Sequence, residues 1–360
     1  MLGCRGLNQA GAEAKPSNRD EVLRAHRSDK DVAGGAMDNC LGVSRYIPLM
    51  YQGIHYLRGV AAAAVILKHA SHPGGPWERA LDAGVDLFFV ISGFVMVVST
   101  YGKDIGPLDF VRRRCERVLP MWWITLAIVA LLGLGTGDWS AWVLSLALIP
   151  TVINSGVGSV YWGVGWTLVF EMIFYAFFAI GLAWRSTGFV FIVLPAMVAV
   201  GFAAGRSDVP LLNDTMHPLL LEFIMGALVA RLVLAVARPS LLYAGLGVAL
   251  LAIGAQFAGG TEVRPLTLGL PMALVVAGLA AAELPKIRFL ALLGDSSYSM
   301  YLLHYIPILL AWSIIPRDSY WAVTFALAVG VGIAGHIFME RPLMALLRSC
   351  RTLAATAKPI

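Results

Sequence analysis

Long apolar runs alternate with short polar segments from about residue 50 to residue 341. A helix needs about 20 apolar residues to cross the hydrocarbon core of a bilayer. The pattern therefore predicts an all-α, polytopic membrane protein. Residues 141–150 are apolar but short, which is typical of a re-entrant or interfacial segment. The predicted spans are 52–71, 83–100, 118–134, 162–183, 188–204, 217–236, 241–258, 266–282, 294–315 and 320–341.

The composition agrees with a membrane protein. The chain is 58% hydrophobic and 14% charged, whereas soluble domains are about 45–50% apolar and about 25% charged. The net charge of +5 does not indicate nucleic-acid binding, because cytoplasmic loops of membrane proteins collect lysine and arginine. The cysteines have no metal-ligand spacing and predict neither a metal site nor a disulfide. They are Cys4, Cys40, Cys115 and Cys350.

Positively charged clusters predict the orientation. The clusters at 103–117, 231–238, 286–288 and 341–358 all lie on the cytosolic side if 141–150 does not cross. That arrangement gives about ten crossings with both termini in the cytosol; if 141–150 crosses, the second and third clusters fall outside. The mixed charges and the lack of an apolar run in residues 1–45 predict a disordered cytosolic arm. Residues 46–345 form the predicted transmembrane domain, and 346–360 form a cytosolic tail.

The first span contains two ionisable side chains, Arg58 and His69. Such groups are costly to place in lipid, so a functional role is the default interpretation. They are eleven positions apart, which corresponds to about 16 Å along a helix, or roughly half the hydrocarbon thickness. Alternatively, Arg58 extends to the lipid headgroups and His69 caps the outer helix end.

Two carboxylates also lie in predicted spans, Asp86 in the second and Glu171 in the fourth. A carboxylate among apolar residues needs a partner or keeps its proton. Either acid would orient His69 and stabilise its charged form. The other predicted pocket residues are Ser92, Trp166, Tyr175, Tyr298 and His304. Taken singly, the aromatic residues also fit an interface belt or core packing, and the second histidine fits a satisfied buried residue.

An arginine cluster precedes the third span, whose first turn is predicted at Pro120. Guanidinium groups at a membrane edge bind phosphates through paired hydrogen bonds. The alternative role is a topology signal that interacts with anionic lipid. The cluster consists of Arg112, Arg113, Arg114 and Arg117.

Local signals predict further features of the helices. Asp295 or Ser296 is expected to cap the N-terminus of the ninth span. Gly93 permits a close approach between helices or local unwinding. A structural ion pair at the helix end is the favoured interpretation of Glu340 beside Arg341.

Several of these stretches occur in the order found in the membrane-bound acyltransferase 3 family, and the chain resembles its exopolysaccharide-production branch. The resemblance implies transfer of an acyl group, usually acetyl, from cytosolic acyl-CoA to a carbohydrate hydroxyl at the outer face of a bacterial inner membrane. The matching stretches are Leu57-Arg58-Gly59 with His69, Gly84 to Phe94, Arg113 to Pro120, Trp166 to Tyr175, Ser297 to His304, and Glu340-Arg341-Pro342.

The resemblance also implies residue roles and partners. The essential arginine and histidine of the family correspond to Arg58 and His69, and its arginine motif to Arg113 and Arg117. Acyl-CoA is the implied co-substrate, with no bound cofactor. The implied partners are a polysaccharide or lipid-linked oligosaccharide acceptor, membrane lipids, and polysaccharide synthesis or export machinery. Many members have two adjacent acids where this chain has Glu171-Met172, so any role that needs the second acid does not carry over.

The resulting hypothesis is that Arg58, Arg113, Arg114 and Arg117 hold the CoA phosphates while His69 acts as general base or accepts the acetyl group first. The main rival is a proton-coupled transporter or translocator of a sugar or lipid-linked intermediate, in which the buried histidines and carboxylates relay protons. Transporters often contain inverted repeats, and the sequence shows no internal repeat. A non-catalytic subunit of a polysaccharide export complex is the third hypothesis.

Overall fold

The computed structural model of the protein describes residues 52–71, 77–151, 160–205, 207–236, 240–257, 260–280, 282–312, 314 and 321–356. The predicted arm at 1–45 lies outside these residues. Across the described ranges the secondary structure is helical, with no strand, which confirms the all-α class.

The described residues form fourteen α-helices, joined in several places by short 3-10 or π turns. The helices are α1 (52–70), α2 (Glu78–Thr100), α3 (Pro107–Leu131), α4 (Trp139–Leu146), α5 (Trp166–Ala183), α6 (Val190–Ala204), α7 (Pro210–Thr215), α8 (Leu220–Val236), α9 (Leu241–Phe257), α10 (Leu270–Leu279), α11 (Arg288–Leu303), α12 (Tyr305–Trp312), α13 (Trp321–Gly335) and α14 (Arg341–Thr356). Two π turns, Pro265–Gly269 and His336–Glu340, directly precede α10 and α14.

Several helical stretches have the length and apolar composition needed to cross a membrane, which supports the membrane class. Helices α9 and α10 are shorter apolar helices. The number of crossings, about ten, and the cytosolic position of both termini therefore stay predictions. In the described part of the chain, the five long stretches are Glu78–Thr100, Gly163–Ala183, Thr187–Ala204, Pro210–Ala235 and Trp321–Cys350.

Two helices begin earlier than the sequence predicted. Helix α3 begins at Pro107, so the arginine cluster is helical and Pro120 lies inside the helix rather than in its first turn. Helix α11 begins at Arg288, so Asp295 and Ser296 are interior residues and the predicted cap is wrong. The short segment predicted at 141–150 is the eight-residue helix α4.

The predicted ninth span is divided into α11 and α12 at His304. Pro307 explains the interruption, because a proline has no N–H to donate to the carbonyl four residues earlier and its ring crowds that carbonyl. The carbonyl concerned belongs to Leu303, the last residue of α11. The interruption therefore lies beside one of the predicted pocket residues.

Helix α2 is the most buried of the long apolar stretches, and it packs closely on α8. The two helices meet at a pair of glycines. A Cβ on Gly93 would collide with the backbone of Phe223, and a Cβ on Gly226 would collide with the backbone of Val90. Small residues permit such a close approach between membrane helices. The contact fixes α2 against α8, and α2 carries several cavity residues described below.

Replacing either glycine at this crossing should destabilise the protein. We expect Gly93→Ala and Gly226→Ala each to reduce stability by about 1–3 kcal/mol, because the added methyl overpacks a backbone contact. Thermal unfolding of the purified protein in detergent would measure the effect. Gly330→Ala is the matched control, since the space beside Gly330 is open. Equal unfolding temperatures for all three variants would contradict the close approach of α2 and α8.

Candidate active site

A cavity with an empty volume of about 840 Å³, including its mouth, lies between α1, α2, α3, α5 and α11. The space that the protein itself encloses is smaller, about 120 Å³. We call it the arginine cavity, after the three guanidinium groups in its wall. Its polar lining residues are Arg58, Ser92, Arg114, Arg117, Thr167, Glu171, Tyr175, Ser297, Tyr298 and Tyr301.

The three arginines of the cavity differ in how they are held. Arg117 pairs with Glu340, with Nη1 2.5 Å from Oε1. Arg114 donates through Nη2 to the Ser99 hydroxyl at 3.0 Å. Arg58 makes no hydrogen bond or ion pair with any described residue, although it lies in the cavity wall. A cation in this position is available to an anionic ligand.

Arg113, which was predicted to bind phosphate, lies outside the arginine cavity. Its side chain is 55% exposed and pairs with Asp109 on the surface of α3, with contacts of 2.6 and 2.8 Å to Oδ2. This hydrogen bond raises the pKa of Arg113. Arg112 is also exposed and pairs with Glu116 one turn along. The structure therefore places Arg114 and Arg117 of the cluster in the cavity, while Arg112 and Arg113 face outward.

Glu171 is the only carboxylate among the described residues that line the cavity. It accepts a hydrogen bond from Ser92 at 3.0 Å and another from the Tyr175 hydroxyl. Three guanidinium groups lie in the wall, and they are offset by Glu171 and by Glu340, which pairs with Arg117. The remaining excess of one positive charge favours an anionic ligand.

His69 and His304 form a pair next to the cavity. His304 Nε2 lies 3.1 Å from His69 Nδ1, and the ring centroids are 5.0 Å apart. His69 Nδ1 also lies 3.0 Å from the Val65 carbonyl, and His304 Nδ1 lies 2.7 Å from the Tyr301 carbonyl. His304 is fully buried, whereas His69 is half-buried. The pair joins α1 to the interruption between α11 and α12.

The carbonyl contacts determine which nitrogens carry hydrogens. A carbonyl oxygen only accepts, so each Nδ1 must be the donor to its carbonyl. In neutral His304 the other nitrogen, Nε2, is then an acceptor, and the one hydrogen on His69 Nδ1 is shared between this nitrogen and the Val65 carbonyl. Consequently His69 keeps an unprotonated Nε2. No described residue donates to that nitrogen, so it can accept a proton from a ligand.

Tyr301 links the arginine cavity to the histidine pair. Its side chain lines the cavity, and its ring centroid lies 6.0 Å from that of His304. Thr167 donates to the Tyr301 hydroxyl at 2.8 Å, and that hydroxyl donates to the Val164 carbonyl at 2.9 Å. Neither histidine is among the described lining residues. The histidine pair therefore lies immediately beyond the cavity wall that Tyr301 forms.

Asp86 does not contact His69 as predicted. It is fully buried and forms a paired interaction with Arg264, with contacts of 2.9 and 2.8 Å to Nε and Nη2. Glu222 is also fully buried beside this pair, and neither of its oxygens meets a donor from the described residues. A carboxyl group in such surroundings is neutral unless a cation compensates it. Asp86 thus serves the contact of α2 with the π turn before α10.

Glu171 likewise does not contact His69, and its Oε1 instead accepts from both Ser92 and Tyr175. The predicted histidine–carboxylate pair is therefore replaced by a histidine–histidine pair. Trp166 is partly buried and packs against the core, edge-on to Phe89 and Phe170, rather than lying in the cavity wall. The remaining predicted pocket residues, Ser92, Tyr175 and Tyr298, do line the cavity.

The sequence reasoning missed two partners of buried charges. Arg264 lies at the start of the π turn before α10, far from Asp86 along the chain. Only the general need of a buried carboxylate for a cation pointed to such a partner. Glu340 pairs with Arg117 on α3 rather than with its neighbour Arg341.

The sequence model of the acyltransferase 3 family, described as an acyltransferase domain, matches residues 51–339. Exopolysaccharide production protein ExoZ of Rhizobium meliloti (strain 1021) is 32% identical over 322 residues, which cover 81% of this chain and 98% of that protein. BcsY of Komagataeibacter xylinus, provisionally named a membrane-bound transacylase, is 29% identical over 327 residues, which cover 79% of this chain and 81% of that protein. Acyltransferase MdmB of Streptomyces mycarofaciens is 25% identical over 332 residues, which cover 76% of this chain and 84% of that protein.

No solved structure matches the chain significantly. The family match includes the arginine cavity, the histidine pair and Glu340's partner Arg117, and it extends over most of the chain. Together with the identity to ExoZ, it establishes that this chain belongs to the acyltransferase 3 family.

Proposed function

We propose that the protein is an integral-membrane O-acyltransferase that moves an acetyl group from cytosolic acetyl-CoA to a hydroxyl of an exported polysaccharide or of its lipid-linked precursor. The observation that carries the proposal is the arginine cavity, with excess positive charge in its wall and a histidine pair beyond Tyr301. Transfer of labelled acetyl to extracted polysaccharide by the purified protein tests it. Uptake of a sugar into proteoliposomes without any acetyl transfer would instead favour a transporter.

The donor fits the charge of the cavity. The phosphates of CoA would lie against Arg58, Arg114 and Arg117, because guanidinium groups bind phosphate oxygens through paired hydrogen bonds. Arg58 and His69 are about 16 Å apart along α1, and an extended pantetheine arm can reach across that distance past Tyr301. The thioester would then meet the histidine pair, and CoA is a co-substrate rather than a resident cofactor.

The direction of the helices supports a cytosolic entrance for the donor. His55 contacts Ala291 at 3.0 Å and His69 contacts His304, so α1 and α11 run parallel. If α4 also crossed the bilayer, the extra crossing would make the two helices antiparallel. The parallel contacts therefore favour about ten crossings, and the positive-inside rule then puts Arg58 near the cytosol. His69 would lie toward the outer face of a bacterial inner membrane.

The acceptor is inferred from the relatives. ExoZ is named for exopolysaccharide production, and a polysaccharide hydroxyl that reaches the outer end of α1 would be close to His69. Membrane lipids and the polysaccharide synthesis or export machinery would surround the reaction. We infer no role in nucleic-acid binding.

The proposed chemistry uses the free Nε2 of His69. This nitrogen removes the proton from the acceptor hydroxyl as the hydroxyl oxygen attacks the thioester carbonyl. The carbon–sulfur bond then breaks, the ester remains on the sugar, and the CoA thiolate takes the proton back from the imidazolium. His304 holds His69 in the tautomer that the first step requires.

Removing the proposed base should abolish transfer. We expect His69→Ala to lower kcat by about 10²–10⁴-fold, the usual contribution of general-base catalysis, while the protein still accumulates in the membrane. Labelled-acetyl transfer by purified protein measures the change. His55→Ala is the control, because His55 lies on the same helix and contacts the Ala291 carbonyl instead of the histidine pair. Full activity of His69→Ala would refute the assignment.

Removing the orienting histidine should have a smaller effect. We expect His304→Ala to lower kcat by roughly 10–10²-fold, since an orienting partner supports part of the 10²–10⁴ that a base supplies. The KM for acetyl-CoA should not change, because His304 is not in the cavity wall. Steady-state kinetics would separate the two parameters. A changed KM with normal kcat would show that His304 does not act through His69.

The two faces of the arginine cluster should respond differently to substitution. We expect Arg117→Ala to raise the KM for acetyl-CoA by about 10–100-fold, the equivalent of one lost charged hydrogen bond. Arg113→Ala should leave KM nearly unchanged, because Arg113 is exposed and pairs with Asp109. Kinetics at varied acetyl-CoA concentration provide the measurement. If both substitutions changed the KM for acetyl-CoA equally, the cluster would act as a topology signal rather than in phosphate binding.

A further inference from the structure

Glu340 is a buried carboxylate that collects donors from three helical segments. Its Oε1 accepts from Arg117 Nη1 at 2.5 Å, and its Oε2 accepts from the Ser299 hydroxyl on α11 at 2.6 Å. His336 Nδ1 also lies 3.0 Å from Oε2. The Glu340 side chain is 3% exposed. A carboxylate with both oxygens bonded in this way is fixed in one orientation.

His336 and Glu340 are the first and last residues of a π turn. Such turns occur frequently at functional sites. The two side chains contact each other, and Glu340 also contacts Ser299 on α11. A structural ion pair between Glu340 and Arg341 was predicted from the sequence, but the carboxylate is instead directed toward α3 and the arginine cavity.

Arg117 is the residue that Glu340 shares with the cavity. The Arg117 guanidinium lies 5.3 Å from the centroid of the Tyr298 ring, and the Tyr298 hydroxyl donates to the Val118 carbonyl at 2.7 Å. Both Arg117 and Tyr298 line the cavity. A guanidinium has five N–H donors, so its contact with Glu340 leaves others available to a ligand.

We propose that Glu340 is a positioning residue that holds Arg117 ready to bind the phosphate groups of the acyl donor. The inference rests on the proposed function for the identity of that donor. A long side chain that is already ordered loses less entropy when it binds. Ser299 and His336 hold the carboxylate, the carboxylate holds the guanidinium, and Tyr298 supports the guanidinium face.

Kinetics with two acyl donors test this role. Acetyl-CoA carries the phosphates, whereas S-acetylpantetheine carries the same thioester without phosphate. We expect Glu340→Gln to raise the KM for acetyl-CoA about tenfold, with kcat within about twofold and the rate with S-acetylpantetheine unchanged. Loss of structure alone would lower the rate with both donors. In an Arg117→Ala background, Glu340→Gln should add little, because the two residues act as a unit.

Asp109→Asn is the matched control, since it breaks an arginine–carboxylate pair on α3 that lies outside the cavity. If Glu340→Gln does not accumulate, Ser299→Ala replaces it, and we expect a smaller rise in the same KM. An unchanged KM in whichever variant is measured overturns the role of Glu340. If the unmodified protein uses neither donor, the proposed function itself fails, so the two failures are distinguishable.

Discussion

The cost of removing a charge from water governs how this bundle is arranged. An unpaired ion in an apolar interior costs far more than one hydrogen bond returns, so each buried charge needs a partner, a proton or a polar space. Asp86 has Arg264, and Glu340 has Arg117. Arg58 has no partner among the described residues, yet it lies in the cavity wall. The arrangement of charges thus distinguishes ion pairs that join helices from a cation that lies in the cavity wall without an ion pair among the described residues.

Two parallel helices connect the two ends of the site. Helix α1 carries Arg58 and His69 about three turns apart. Helix α11 runs beside α1. Tyr298, Tyr301 and His304 are spaced at three-residue intervals, so they lie near one face of a helix. The first supports the Arg117 guanidinium, the second lines the cavity, and the third contacts the histidine of α1. In the proposed function, this face leads from the arginines that would bind phosphate to the histidine that would act as base.

The sequence predicted the helical class, the membrane class and several of the residues that line the cavity, but it did not predict how the charged residues pair. The arginine cluster shows why. Once α3 begins at Pro107, adjacent residues point about 100° apart, so Arg113 faces outward while Arg114 faces the cavity. Because the sequence predicted that the helix begins near Pro120, it did not predict which way the arginines before Pro120 would face. Partners such as Arg264 lie far along the chain, and a general need for a counter-ion does not say which residue supplies it.

The replacement of the expected histidine–carboxylate pair by a histidine–histidine pair has a chemical consequence. In the proposed reaction, negative charge develops on the thioester oxygen and then on the departing sulfur. A carboxylate beside His69 would repel both, whereas preorganised neutral dipoles do not. His304 fixes the tautomer of His69 through its own bond to the Tyr301 carbonyl and adds no negative charge. Glu171, held by Ser92 and Tyr175, instead offsets part of the positive charge in the cavity wall.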